Sequence, residues 1–290
     1  DALTQYTPQG LDVSLLGLSG SDAVDATIKT AILKTGRAGV LAFNNGYHGL
    51  SLGVLGLQGY KAAFTDPFRD IAHPNVFHLP FGCSPQEVEQ VLFREDIGLV
   101  IVEPIQGRGG MTPPPKGWLA EVHHIAHKHS ALFALDEIQS GMGRTGTPFA
   151  GPAMGVIPDL LCVGKALGGG FPISACMGTK EVMDAWGEST GEALHTQTFL
   201  GHPIGCAAAH AVLALQDDNF FQTVQNLSKR ITSSLMERGF KSRGRGLMLG
   251  VYTKRSPLAV SRDLMALGYL VLPAGPQGEV LSLTPPACLT

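Results

Sequence analysis

The chain has 290 residues, 44% of them hydrophobic and 16% charged, with a formal net charge of -3. That is enough apolar material for one large α/β domain, or for one domain with a smaller companion. The even charge balance argues against a nucleic-acid surface, and no apolar run is long enough to span a membrane. The five cysteines, Cys83, Cys162, Cys176, Cys206 and Cys288, form no CxxC pair, and several sit in apolar runs. They read as reduced, buried thiols of a cytoplasmic protein rather than a disulfide framework. Asp1 opens the sequence without a methionine, and Thr290 closes it soon after a strand-like run, as a fragment of a longer chain would.

Strand-like and helix-like segments alternate along most of the chain. Val13 to Leu18 reads as a strand, and Asp22 to Thr35 as a helix with Val24, Ile28, Ala31 and Ile32 on one face. Strands follow at Val40 to Phe43 and Val76 to Leu79. Pro85 to Arg94 reads as a helix, with proline in the tolerated first turn. Ile97 to Val102 is a fully apolar strand. Gly117 to His129 is helical, and Ala131 to Leu135, Leu160 to Val163 and Ile173 to Met177 are strands. Such β-then-α alternation predicts a mainly parallel sheet covered by helices.

Beyond a helix over Ile204 to Leu215, the texture changes near Asn219. A polar-faced helix runs to Arg238, a strand covers Gly246 to Tyr252, and a helix covers Pro257 to Leu267. Strands at Tyr269 to Leu272 and Val280 to Leu283 complete the pattern. The expected division is a large domain over residues 1–218 and a smaller α+β domain over residues 219–290.

In open α/β sheets, ligands sit beyond the carboxyl ends of the strands. Ser19-Gly20-Ser21 opens the first long helix, where free N–H groups bind phosphate well. Asn44 to Gly49 is a loop carrying Tyr47, whose ring could stack on a flat ligand. Asp136 follows an apolar run and should be buried, so its carboxylate needs a donor partner, either a ligand or Arg144. Lys165 closes the Leu160 to Val163 strand and precedes three glycines at 168–170. Burial disfavours the charged form of a lysine, and a neutral amine is a nucleophile able to form a Schiff base with a carbonyl.

Together these groups resemble the class III aminotransferases, pyridoxal-phosphate enzymes of fold type I. The resemblance rests on YHG at 47, EPIQG at 103, DEIQSGMGRTG at 136, PDLLCVGKALGGGFP at 158 and TFLGHP at 198, in the family order. It implies that Lys165 is the Schiff-base lysine and that Asp136 holds the pyridine nitrogen protonated. Ile138 and Tyr47 would sandwich the ring, and Gln139 would bond its phenolic oxygen. Gly20 and Ser21 would bind the phosphate, and Thr198 would reach the phosphate of a neighbouring subunit. The implied protein is a homodimer or higher homo-oligomer. It would exchange an amino group between an amine or amino acid and a 2-oxo acid by a ping-pong mechanism on pyridoxal 5'-phosphate.

Two departures from the family pattern bear on the substrate. Many members carry Glu where this chain has Arg108, and Arg where it has Ser282; that pair lets one site accept both an ω-amine and a 2-oxo acid. The stretches GEVLSLTPP and TFLGHPIGCAAA are also similar to the racemase branch of the class, so an amino-acid racemase is the alternative. Arg108 falls just past the Ile97 to Val102 strand, on the cofactor side of the sheet. It is read as taking over part of carboxylate recognition, the other readings being a solvent-facing arginine or one paired with an acid.

Two further signals are set aside. Gly49-Leu50-Ser51-Leu52-Gly53 fits the nucleophile elbow of a serine hydrolase, but five-residue matches arise by chance in a glycine-rich chain. His123 and His127 have i, i+4 spacing suited to zinc, but they lie towards the solvated side of a helix whose stripe is Leu119, Val122, Ile125 and Ala126, so no metal site is assigned.

Overall fold

The computed structural model describes residues 2–188 and 191–289. A short helix α1 (Ala2–Tyr6) precedes strand β1 (Val13–Gly17) and helix α2 (Gly20–Thr35). Strand β2 (Gly39–Phe43) leads through the short helices α3 (Leu52–Leu55) and α4 (Ala62–Thr65) to β3 (Val76–Leu79). Helix α5 (Pro85–Arg94), strand β4 (Ile97–Val102), helix α6 (Trp118–Lys128) and strands β5 (Leu132–Asp136), β6 (Leu160–Val163) and β7 (Ser174–Gly178) follow. After α7 (Lys180–Met183), α8 (Pro203–Ala214) and α9 (Asp218–Glu237) come β8 (Lys241–Arg245), β9 (Met248–Tyr252), α10 (Pro257–Ala266), β10 (Leu272–Ala274) and β11 (Val280–Leu283).

Strands β1 to β7 form one sheet in the order β1-β7-β6-β5-β4-β2-β3. Pairing from β3 through β6 is parallel, while β7 runs antiparallel to both β6 and β1. Its central strands are buried on both faces, which is why they read as continuous apolar runs rather than alternating ones. Alternate residues feed two cores. Leu41, Val100, Phe133, Leu161 and Met177 pack on one face with α5 and α6. Val40, Ala42, Ile101, Ala134 and Cys176 pack on the other, against Val24 and Ile28 of α2.

Helix α2 starts where Ser19 accepts from the Asp22 N–H and Asp22 in turn accepts from the Ser19 N–H, a capping box. It ends at Gly36, whose left-handed backbone closes the helix. Strands β8 to β11 form a second, antiparallel sheet in the order β10-β11-β9-β8.

Three expectations change here. Of the thiols expected to be buried, only Cys162 and Cys176 are; Cys83 and Cys206 are part-exposed and Cys288 is exposed. The stretch Lys241–Arg245 is a strand, unforeseen because it is polar and only partly buried. The strand expected over Tyr269 to Leu272 lies instead at Leu272–Ala274. Tyr269 and Leu270 are strongly exposed in the turn after α10, and Pro273 is tolerated because β10 is an edge strand.

Candidate active site

The carboxyl ends of β1, β2, β4, β5 and β6 converge on one cavity of about 350 Å³. Gly20, Ser21, Tyr47, His48, Glu103, Asp136, Ile138, Gln139 and Lys165 line it, together with Gly49, Leu50 and Ser51. Seven of the expected site residues therefore meet although they are spread over 145 positions of sequence, from 20 to 165.

Asp136 ends β5 and is almost fully buried. Its Oδ1 accepts from the Ile138 N–H at 3.1 Å, and its Oδ2 from His48 Nδ1–H at 2.8 Å. The considered partner, Arg144, instead donates to the carbonyls of Pro285 and Leu247. Burial alone would push the His48 imidazole down. The hydrogen bond and charge of Asp136, with the charge of Glu103, outweigh that and hold it above its ordinary value. In the sequence His48 shares the loop with Tyr47 and is at most a candidate second base; nothing local marks it as the partner of Asp136.

Glu103 closes the loop behind Tyr47. Its carboxylate accepts the Tyr47 N–H at 2.7 Å and the Gly107 N–H at 3.0 Å. Burial, with the nearby Asp136 charge, leaves the Glu103 carboxyl above the usual range despite these donors and His48. Glu137 is fully buried and takes the N–H groups of Gly151 at 2.6 Å and Ala150 at 2.9 Å, plus the Ser140 hydroxyl at 2.7 Å. Burial pushes it up to about 7 even so. Its donors tie the loop after β5 in place and so fix where Ile138 and Gln139 stand.

Glycines set the cavity's width. A Cβ on Gly20 would lie 2.9 Å from Ile138, and one on Gly107 would lie 2.1 Å from the Gln139 side chain. As the first two residues of α2, Gly20 and Ser21 have N–H groups with no intrahelical acceptor, a natural anion site.

Lys165 follows Gly164, where the chain leaves β6. It is exposed on the cavity wall rather than desolvated as the sequence reading expected, because its backbone has already turned out of the sheet. Its φ of 42° is left-handed, an uncommon state for a residue with a Cβ, of the kind found where surrounding structure imposes a side chain's direction. The cavity's size, its glycine cradle, the helix start, the buried carboxylate and the free amine fit a flat phosphorylated aldehyde.

Two expected residues are not part of the cavity lining. Thr198 lies on an exposed loop, where its neighbour Gln197 donates to Asp22. Arg108 is exposed beside Tyr47. Ser51 stands at the start of the four-residue helix α3 with an ordinary φ of -70°; its side chain makes no capping hydrogen bond, and none joins it to His48 among the described residues. It lacks the strand-to-helix elbow of a hydrolase nucleophile. His127 bonds Asp159 at 2.8 Å, away from this cavity.

Comparison with known proteins agrees with this geometry. The sequence matches the family Aminotransferase class-III over residues 1–290. The chain belongs to the class III aminotransferases. It is 36% identical to the acetylornithine aminotransferase of Methanopyrus kandleri, over 98% of this chain and 72% of that protein. It is 38% identical to that of Corynebacterium efficiens, over 94% of this chain and 66% of the relative. The structure superposes on the ornithine aminotransferase of Toxoplasma gondii with a TM-score of 0.86 at 29% identity, over 96% of this chain and 69% of that one. Members of the family use pyridoxal phosphate on fold type I, and the seven-stranded sheet follows that fold. Each of these relatives is an aminotransferase, so none supports the racemase alternative.

Proposed function

We propose that this class III aminotransferase takes the amino group of a carboxylate-bearing amine or amino acid, of the acetylornithine or ornithine kind handled by its relatives, and passes it to a 2-oxo acid. The observation that carries the reading is the meeting of a free lysine, a buried carboxylate and an open helix start around one cavity. Pyridoxal phosphate, when bound, supplies the electron sink that lets the donor's Cα give up its proton. Lys165 Nζ would anchor it covalently and, once displaced by the donor amine, take the Cα proton as base.

The Asp136 carboxylate would accept from the ring nitrogen, a charge-assisted contact. His48 and the Ile138 N–H keep that carboxylate aimed. Tyr47 and Ile138 would cover the two ring faces, Gln139 would meet the phenolic oxygen, and Gly20 and Ser21 would hold the phosphate.

Thr198 would serve the phosphate of a second subunit in a homodimer. The exposed apolar side chains of Leu194, Phe199 and Ile204, near Thr198 in sequence, suit such a contact. Free thiols suit a reducing, cytoplasmic setting, and no helix among the described residues is long and apolar enough to cross a membrane. The test is single-enantiomer amino acids with and without a 2-oxo acid. Amino transfer that requires the oxo acid is expected; inversion of the enantiomer without it would overturn the reading.

A further inference from the structure

Beside Tyr47, which lines the cavity, stands a cation with no ion-pair or hydrogen-bond partner for its side chain among the described residues. Arg108 follows β4 in the segment 103–112, which closes on itself through an isolated pair of bonds between Gln106 and Thr112. The Arg108 guanidinium carbon lies 5.3 Å from the centroid of Tyr47 and 5.6 Å from that of Tyr60, both within cation–π range. Its backbone is fixed as well. The Gly275 N–H donates to the Arg108 carbonyl at 2.9 Å, and the Tyr60 hydroxyl donates to the Gly275 carbonyl at 3.0 Å. Tyr60 is itself buried. The turn between β10 and β11 thus holds both the arginine and one of the rings beside it.

The carboxylates of the two segments that meet here, Glu103 before Arg108 and Glu279 after Gly275, are engaged by other donors. Glu103 accepts from two backbone N–H groups. Glu279 accepts from Arg243 at 3.1 Å and from the Gln277 N–H at 3.2 Å. Among the described residues, none of the Arg108 side-chain N–H groups finds an acceptor in the chain. Arg94, Arg230, Arg245 and Arg262 likewise donate to no acceptor among the described residues; what sets Arg108 apart is its place between two aromatic rings, one of which lines the cavity. A guanidinium held by aromatic rings, with its N–H donors free, is arranged to take a carboxylate through paired hydrogen bonds. Ser282 offers no cation; it lines a separate recess with Ile231, Tyr269, Leu270 and Leu283.

We propose that Arg108, held beside Tyr47 and Tyr60, is the residue that recognises the substrate carboxylate, and that it selects ω-amino acids over simple amines of the same length. The proposal rests on the aminotransferase reading above, because Tyr47 links Arg108 to the cavity.

The test compares 4-aminobutyrate with butylamine, which differ only in the carboxylate, on the cofactor-loaded wild type, Arg108→Ala and Arg108→Lys. In the donor half-reaction alone, followed as the cofactor's absorbance change with no 2-oxo acid present, Arg108→Ala should raise KM for 4-aminobutyrate about 10- to 100-fold and leave that for butylamine unchanged, with the starting absorbance of the cofactor intact. Arg108→Lys keeps a charge but loses the planar fork, so its KM should fall between the two. Equal changes on both donors, or none on either, overturn the assignment. Calorimetry with glutarate gives a second readout that needs no turnover. Wild type should bind it at least about 10-fold tighter than Arg108→Ala, since removing a charge-assisted bond costs at least that factor. Equal affinity, or no binding by wild type, overturns the proposal. A wild type that binds glutarate through Arg108 but transfers no amino group would instead remove the aminotransferase reading and leave the anion site standing.

Discussion

At the carboxyl ends of the seven-stranded sheet, His48, Glu103, Asp136 and Glu137 are all buried, the most exposed of them at 6%. In the four-stranded sheet no charged side chain is buried among the described residues, and Tyr269, Leu270 and Leu272 around its edge strand stand open to solvent. The charges of the first region cannot be screened by water, so each must be met by a fixed partner, and the site inherits that rigidity. The charges of the second are partly solvated and hold their partners loosely. The second sheet matters to the site through hydrogen bonds to its backbone instead, from the Arg243 side chain to the Gly110 carbonyl and from the Gly275 N–H to the Arg108 carbonyl.

The contrast can be broken most forcefully at His48. Replacing it with alanine strips a buried carboxylate of its partner, which costs about 3–5 kcal/mol when a buried pair is broken. Urea unfolding of wild type and His48→Ala measures this, and pH sharpens it. His48 titrates above its unfolded value, so its contribution is fully present below about pH 6.5 and is lost as pH rises through the folded value. The stability gap between the two proteins should therefore shrink on the alkaline side. A gap that widens there would show that His48 is not held charged by Asp136.

Asp136→Asn tests the same network through chemistry. It keeps the shape of the side chain and removes its charge, so kcat should drop by about 10² or more while cofactor absorbance stays. Turnover near that of wild type would exclude Asp136 as the nitrogen's partner. The smallest effect is expected in the second sheet. Arg243→Ala removes a half-exposed ion pair with Glu279 and a bond to the Gly110 carbonyl. About 1 kcal/mol of stability is at stake, after allowing for solvent screening, and thermal unfolding would register it as a small shift. A loss as large as that at His48 would erase the distinction between the two regions.

The sequence shows the sheet clearly where strands are buried on both faces, as at Ile97–Val102 and Leu160–Val163, because nothing but a core tolerates such runs. It hides β8, whose lysine, serine and arginines look like loop, and it misplaces β10, where an apolar run belongs to an exposed turn. The residues that line the cavity are legible for a related reason: they stand at strand ends and helix starts, positions that local pattern marks. Their partners are not. His48 and Asp136 lie 88 residues apart, and Tyr60 lies 48 positions before the arginine it meets. No local periodicity encodes such contacts; they follow only once the parallel order of β2, β4 and β5 brings the strand ends together.

The central claim is that Lys165 is the residue to which the cofactor is bound. Its one direct measurement is borohydride reduction of the cofactor-saturated protein, followed by proteolysis and mass spectrometry of the pyridoxyl peptide. The account predicts the label on Lys165 and its loss in Lys165→Ala. A label on Lys180, an exposed lysine that already pairs with Asp184, or no label anywhere, would contradict it.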